Sequence, residues 1–248
     1  MLQFASATAT DQGKVRAVNE DAVLARHPVY AVADGMGGHT AGQIAAGIAV
    51  EEFGRLAHAT TPLRPGDVAA ALDRARERIA ELPRGPSGRA AGTTITGAVL
   101  TQEEFGPAWL IVNLGDSRTY CYANNRLERL TEDHSEVEAL LQAGFITPAQ
   151  ARLHPRRHVV TKALGAGLFF DPDLRILPAR AGQRLLVCSD GLTEHVGDRR
   201  IAQTLHAHHA APDAVRALLR LALAAGGKDN ISVIVVDVFD DAAEADPG

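Results

Sequence analysis

Four aspartates stand where a carboxylate can do chemistry: Asp34 in VADGMGGH (32–39), Asp116 in GDSR (115–118), Asp190 in CSDGLTE (188–194) and Asp229 in GGKDNIS (226–232). Each lies at the end of an apolar run or in a glycine-rich bend. A carboxylate there, followed by backbone free to fold tightly, can hold a cation or approach a phosphate. A lone Asp-Gly is equally a common turn, and GDSR between two strands reads by itself as hairpin chemistry. Repetition of the pattern far down the chain is what points to one shared site. Hard oxygen donors suit Mg²⁺ or Mn²⁺ better than zinc, and no Cys or His cluster accompanies them. His206, His208 and His209 scatter around a helix end and read as an exposed polar face. A further polar string, Arg16-Ala17-Val18-Asn19-Glu20-Asp21, has two readings. It is a solvated loop with one local ion pair, or an arginine fork for an oxyanion beside carboxylates able to order metal-bound water.

The elements that must position these groups follow from periodicity. Residues 2–9 and 21–26 alternate loosely and read as strands, with DQGK (11–14) as the break between them. The apolar run 29–33 ends at Asp34. Residues 41–57 follow as a helix with Ala45, Ile48, Ala49, Phe53 and Leu56 on one face. Residues 67–82 repeat the pattern with Val68, Leu72, Ala75, Ile79 and Leu82 before Pro83 stops it. A loop at 84–88 leads through AGTT (91–94) into a strand at 95–101. Strands at 108–114 and 117–123 flank GDSR, so a tight turn is expected to present Asp116 at one sheet edge, and Asn124-Asn125 turns into 126–130. Least regular is 131–161, with a short helix at 136–143 and a polar run at 152–158. That run reads either as a solvated loop or as a mobile flap that meets an acidic or phosphorylated substrate. Strands at 173–177 and 184–189, a helix at 211–225 closed by Gly226-Gly227, and the β-branched run 231–239 as a central strand complete the pattern.

With 248 residues, 46% of them hydrophobic, the chain is long enough to bury one large core, and no internal linker divides it. Residues 1–240 are expected as a single catalytic domain and 241–248 as a short acidic tail. A formal net charge of -5 leaves no basic footprint, which argues against nucleic acid as a partner. No window approaches the roughly 18 consecutive apolar residues of a membrane span, and the start lacks the charged and then apolar pattern of a secretion signal. A cytoplasmic protein is expected. Cys121 and Cys188 fall in apolar runs with neither zinc nor disulfide spacing, and read as buried reduced thiols.

Taken in order, RAVNED (16–21), VADGMGGH, AGTT, GDSR, LTEDHS (130–135), TKALG (161–165), CSDGLTE and GGKDNIS resemble the metal-dependent protein phosphatases of the protein phosphatase 2C-like family, in their bacterial form. The resemblance runs over nearly the whole chain. It implies an α+β fold, a central antiparallel β-sandwich flanked by helices on both faces, with metals in a channel at one end. It also implies a serine/threonine phosphoprotein phosphatase that uses metal-activated water at a binuclear Mn²⁺ or Mg²⁺ centre and reverses bacterial Ser/Thr kinase signalling. In that reading Asp34 bridges two metals, Asp190 and Asp229 complete one site, and the Gly35 carbonyl and waters complete the other. Glu20 and Asp21 lie beside the second metal through water, and Asp116 shares a third, weaker ion with Asp190. Arg16 grips substrate phosphate, and residues 144–158 form the flap. Phosphorylated proteins, a cognate kinase and its substrates are the implied partners, with no direct membrane insertion and a monomeric chain. The chemistry is consistent: phosphate monoester hydrolysis needs up to about 10²¹-fold acceleration. Two hard cations about 3.5–4 Å apart can both activate water and screen the phosphoryl oxygens.

The chain departs from the family pattern in places. Met36 stands where animal members carry a histidine proposed as general acid, which leaves the proton donor unnamed, and His39 reads as a loop contact. Lys162 replaces the usual arginine of TRALG, keeping the charge but losing the fork. Ser232 for threonine is a small change. Two other functions fit the sequence less well. A phosphatase confined to an anti-anti-sigma-type regulator is disfavoured by the complete RAVNED string, and an inactive phosphoprotein-binding member is disfavoured because every metal carboxylate is present.

Overall fold

The computed structural model describes residues 1–37, 40–84, 88 and 90–240. Its elements in chain order are β1 (Leu2–Asp11), β2 (Asp21–Arg26), β3 (Val29–Met36), α1 (Thr40–Leu56), α2 (Pro65–Ala80), β4 (Gly92–Thr93), β5 (Ile95–Glu103), β6 (Gly106–Leu114), β7 (Arg118–Ala123) and β8 (Arg126–Arg129). They continue with α3 (Glu136–Gln142), α4 (Pro148–Leu153), β9 (Leu164–Gly165), β10 (Asp173–Pro178), β11 (Arg184–Cys188), α5 (Asp190–Thr193), α6 (Asp198–Ala207), α7 (Ala211–Ala224) and β12 (Ile231–Asp240). The reading of His39 as a loop contact, the inside of the 84–88 loop and the tail 241–248 lie outside the described residues.

The strands form two antiparallel sheets, one ordered β1-β12-β11-β7-β8 and the other β10-β6-β5-β3-β4-β9 with β2 also paired to β3. Continuous apolar runs arise because both faces of the central strands are covered. Along β3, Val29, Ala31 and Ala33 pack with α1 and α2, while Tyr30 and Val32 face the other sheet. Along β12, Val233 and Val235 join the core with α6 and α7, while Ile234 and Val236 fill the space between the sheets. Three apolar layers therefore separate four structural layers, helix, sheet, sheet, helix, the architecture the resemblance implied. Between α1 and α2 the side chain of Glu52 is inaccessible to solvent and accepts from Arg74 Nε at 2.9 Å and Arg78 Nη1 at 2.6 Å, which pins the helix pair.

Three expectations need correction. The strands flanking GDSR are not a hairpin at one sheet edge: β6 pairs with β5 and β10, whereas β7 pairs with β11 and β8. Asp116 thus lies where the chain crosses from one sheet to the other. Strand β3 does not stop at Ala33 but continues through Asp34 and Gly35 to Met36, because β4 supplies partners, Thr93 for Gly35 and Gly92 for Met36. The 131–161 segment holds a second short helix, α4, whose Thr147 N-cap accepts from Gln150 N while the Gln150 side chain returns to Thr147 N. No residue of α4 is buried, so no apolar stripe marks it.

Candidate metal centre

Strand registers bring the four aspartates to one end of the sandwich. Val32 lies beside Thr96, Ile95 beside Leu114 at the end of β6, Arg118 at the start of β7 beside Cys188 at the end of β11, and Cys188 beside Val233 near the start of β12. Asp34, Asp116, Asp190 and Asp229 extend from those same ends, and Asp21 on β2 is the direct cross-strand partner of Asp34.

The strings around these aspartates hold them in place by hydrogen bonds. Asp34 O accepts from Thr94 N and from Thr93 Oγ1, both at 2.9 Å, and Asp34 N donates to Thr94 Oγ1 at 3.2 Å. Thr94 Oγ1 also meets Ser117 Oγ at 2.9 Å, so AGTT ties the Asp34 strand to the GDSR crossing. A Cβ on Gly35 would stand 2.3 Å from Gly42 O and 2.6 Å from Glu20 O, so only glycine lets α1 and the Arg16 loop close on this backbone. Gly115 has φ +120, and its N–H donates to His134 Nδ1 at 3.1 Å while its carbonyl accepts from His134 N at 2.8 Å. With Nδ1 accepting, His134 Nε2 carries the proton given to Asp173 Oδ2 at 3.1 Å. Arg118 grips Asp133 with a two-pronged contact, Nε to Oδ1 at 2.8 Å and Nη2 to Oδ2 at 2.5 Å.

Burial sets the electrostatics. It is the main cause that lifts the Asp116 carboxyl to about 7, with Asp133 adding to it, and that pushes Asp34 and Asp190 well above the ordinary carboxylate range. The fields of Asp21, Asp190, Asp116 and Asp229 raise Asp34 further. Asp21 is raised by burial to about 6, even though Ser189 Oγ donates to its Oδ2 at 2.8 Å. No donor among the described residues reaches Asp190 Oδ1 or Asp21 Oδ1, both buried. Among the described residues, the one cationic side chain hydrogen-bonded to any of the four aspartates is Arg16, whose Nη2 donates to Asp229 Oδ2 at 2.6 Å. Crowded, buried, under-paired oxygens of this kind fit hard divalent cations, which would replace the missing donors and cancel the mutual repulsion.

Residues whose part was not foreseen complete the arrangement. Glu194 follows Asp190 by one turn, and His158 from the far end of the 144–158 segment contacts its carboxylate through Nδ1. Ligand atoms of His158, Asp190 and Glu194 lie within 4.8 Å of one another. Only the spacing of Asp190 and Glu194 was a local signal; His158 arrives by tertiary packing. Asn230 is buried and fastens the Arg16 loop: its Nδ2 donates to Gln12 O and Val18 O, both at 2.9 Å, and its Oδ1 accepts from Glu20 N at 2.8 Å. Lys162 donates to Asp171 Oδ2 at 2.8 Å. Both cysteines are free and buried, and burial raises Cys121 to about 11 and Cys188 to about 12. A cavity of about 1070 Å³ opens beside Asp116, Asp190 and Glu194, with α4 and Arg157 on one side, so the 144–158 segment lies where a flap was expected. No helix among the described residues is long and apolar enough to cross a membrane.

The family model described as Protein phosphatase 2C matches residues 12–228. The serine/threonine protein phosphatase PstP of Mycobacterium tuberculosis is 39% identical over 239 residues, 94% of this chain and 45% of that protein, so the chain spans about half the length of this relative. The serine/threonine phosphatase stp of Listeria monocytogenes is 34% identical over 241 residues, 92% of this chain and 93% of that protein. Among solved structures, the catalytic domain of PstP in complex with two manganese ions superposes with a TM-score of 0.87 at 34% identity, covering 97% of this chain and 100% of that one.

Proposed function

The chain belongs to the protein phosphatase 2C family, and from that premise we propose that it is a metal-dependent serine/threonine phosphoprotein phosphatase. The observation that carries the reading is the set of buried, mutually repelling carboxyls of Asp34, Asp116 and Asp190, with Asp190 Oδ1 lacking any donor among the described residues. Residues 1–240 act as one catalytic domain. Asp34, Asp190, Asp229 and the Gly35 carbonyl would hold two hard ions, Mn²⁺ or Mg²⁺, and Asp116 with Asp190 would hold a weaker third. Ions bound there supply Lewis-acid charge and bring the pKa of water toward neutrality.

The rest of the work falls to side chains of this protein. Arg16, kept at the rim by Asp229 and by the Asn230-anchored loop, offers its planar fork to two phosphoryl oxygens. Ser189 occupies Asp21 Oδ2, which leaves Oδ1 to orient water beside the centre, with Glu20 next to it. Thr93 and Thr94 fix the Asp34 backbone, so its carboxylate is held before substrate arrives rather than reorganised during reaction. Met36 has no proton to give a leaving group.

Substrates in this reading are phosphoserine and phosphothreonine proteins made by a serine/threonine kinase. PstP and stp carry the serine/threonine phosphatase name, which supports the assignment. A monomer suffices, since every residue invoked comes from one chain, and free buried thiols suit a reducing cytoplasm. Purified protein with Mn²⁺ should hydrolyse p-nitrophenyl phosphate and a phosphothreonine peptide, and chelation should stop both. Failure on both substrates, with chelation making no difference, would remove the assignment.

A further inference from the structure

We propose that the cavity beside the metal centre is a docking groove for acidic residues that flank the phosphorylated residue of a protein substrate. The inference rests on the phosphatase reading and specifies its substrate class. At about 1070 Å³ the cavity exceeds what a phosphate ester needs; pockets of roughly 300–1,000 Å³ already accommodate drug-sized molecules. One end is formed by Asp116 and Asp190. Its walls carry Arg152 and Arg157 from α4 and the turn after it, Arg199 and Arg200 from the first turn of α6, and Lys228 next to Asp229.

These cations differ from most of the arginines packed elsewhere in the molecule. Arg74 and Arg78 meet Glu52 and Arg184 meets Asp237; inside the cavity itself Arg118 meets Asp133 and Arg129 meets Glu138. Arg152, Arg199, Arg200 and Lys228 have no carboxylate partner among the described residues, and Arg157 reaches only the carbonyl of His154, at 3.4 Å. Nor can the acids of the same cavity satisfy them. Asp133 and Glu138 are taken by Arg118 and Arg129, Glu194 by His158, and Asp198 accepts from Tyr120 Oη at 3.2 Å, while Asp116 and Asp190 form the metal-centre end of the groove and make no ion pair with these cations among the described residues. Val137 and Leu141 of α3 give the groove an apolar lining on which a peptide backbone can lie. A chain with net charge -5 therefore concentrates unpaired positive charge along one groove leading to its catalytic end. Arginine forks there recognise carboxylates, and the same charges repel a lysine-flanked segment.

The test compares phosphothreonine peptides flanked by glutamate or by lysine, with p-nitrophenyl phosphate as the flank-free substrate, on the unsubstituted protein and on Arg199→Ala/Arg200→Ala. The unsubstituted protein should favour the glutamate-flanked peptide by about tenfold or more in kcat/KM, a preference that shrinks as salt rises. The double variant should lose most of that preference with p-nitrophenyl phosphate turnover unchanged. Anisotropy of a labelled glutamate-flanked peptide bearing a non-hydrolysable phosphonate reads docking without turnover, and should show about tenfold weaker binding to the variant. Absence of a preference, a preference that survives the substitutions, or an equal loss on all three substrates would overturn the proposal. Loss of p-nitrophenyl phosphate hydrolysis in the unsubstituted protein is a different result, and counts against the phosphatase reading itself.

Discussion

Arg16 Nη2 and Asp229 Oδ2 are joined at 2.6 Å across 213 positions of sequence, so the group expected to grip phosphate is held by a group expected to hold metal. The bond aims a half-exposed guanidinium at the centre, and the loop beneath it is fastened by Asn230. Hydrogen bonds to charged groups contribute about 1.5–3 kcal/mol, so Arg16→Ala should raise KM for small phosphate esters by roughly tenfold or more while kcat changes less. Steady-state kinetics with p-nitrophenyl phosphate decide the point, and an unchanged KM would take Arg16 out of the site.

Asn230→Ala removes bonds to Gln12 O, Val18 O and Glu20 N and leaves those backbone groups to find other partners. A net of about 1 kcal/mol per bond gives a destabilisation of roughly 2–3 kcal/mol in urea denaturation. Because the same bonds position Arg16, KM should rise as it does in Arg16→Ala. A variant with lowered stability but an unaltered KM would make Asn230 a fold residue alone.

The pH dependence of the metal-free protein follows from raised carboxyls. Asp21 at about 6 and Asp116 at about 7, with Asp34 and Asp190 also raised, bind protons in the folded state that the unfolded chain has already released above the ordinary carboxylate range. Stability from these groups is therefore full at acidic pH and declines as pH rises through about 6 to 7. Thermal denaturation in chelator should show this fall between pH 5 and 7.5, and added Mn²⁺ should raise Tm more at pH 7.5 than at pH 5. Equal Mn²⁺ stabilisation at both values would mean that the ion does not bind at these carboxylates.

Much of the arrangement could be read from local pattern. Helices α1, α2 and α7 obey simple periodicities because each lays one regular face on a core, whereas β2 at Asp21–Arg26 was legible as a short apolar run whose two faces pack on different cores, Ala22 and Leu24 on one and Val23 and Ala25 on the other. Glycines next to Asp34, Asp116 and Asp190, and two positions before Asp229, marked the candidate ligands, since close backbone approach leaves a compositional trace. The change of sheet at Gly115–Ser117 left none: strands paired in one sheet and strands split between two alternate alike, and what distinguishes them is the long-range pairing of Arg118 with Cys188. Helix α6 escaped notice because its buried stripe is only Ile201, Thr204 and Leu205, and α4 because it buries nothing. His158 and Asn230 act through neighbours 36 and about 210 positions away, a relation that single-sequence spacing does not carry.

Calorimetric titration of Mn²⁺ into the metal-free protein and its Asp34→Asn variant is the most direct test of the aspartate cluster as a divalent-ion centre. Asparagine keeps the shape of Asp34 and the backbone bonds to Thr93 and Thr94, but removes the charge surrounded by Asp21, Asp190, Asp116 and Asp229. Expected are tight sites in the unsubstituted protein, loss of at least tenfold in their affinity in Asp34→Asn, and a fold retained by circular dichroism. Identical titrations of the two proteins, or no binding by either, would contradict the role given to Asp34.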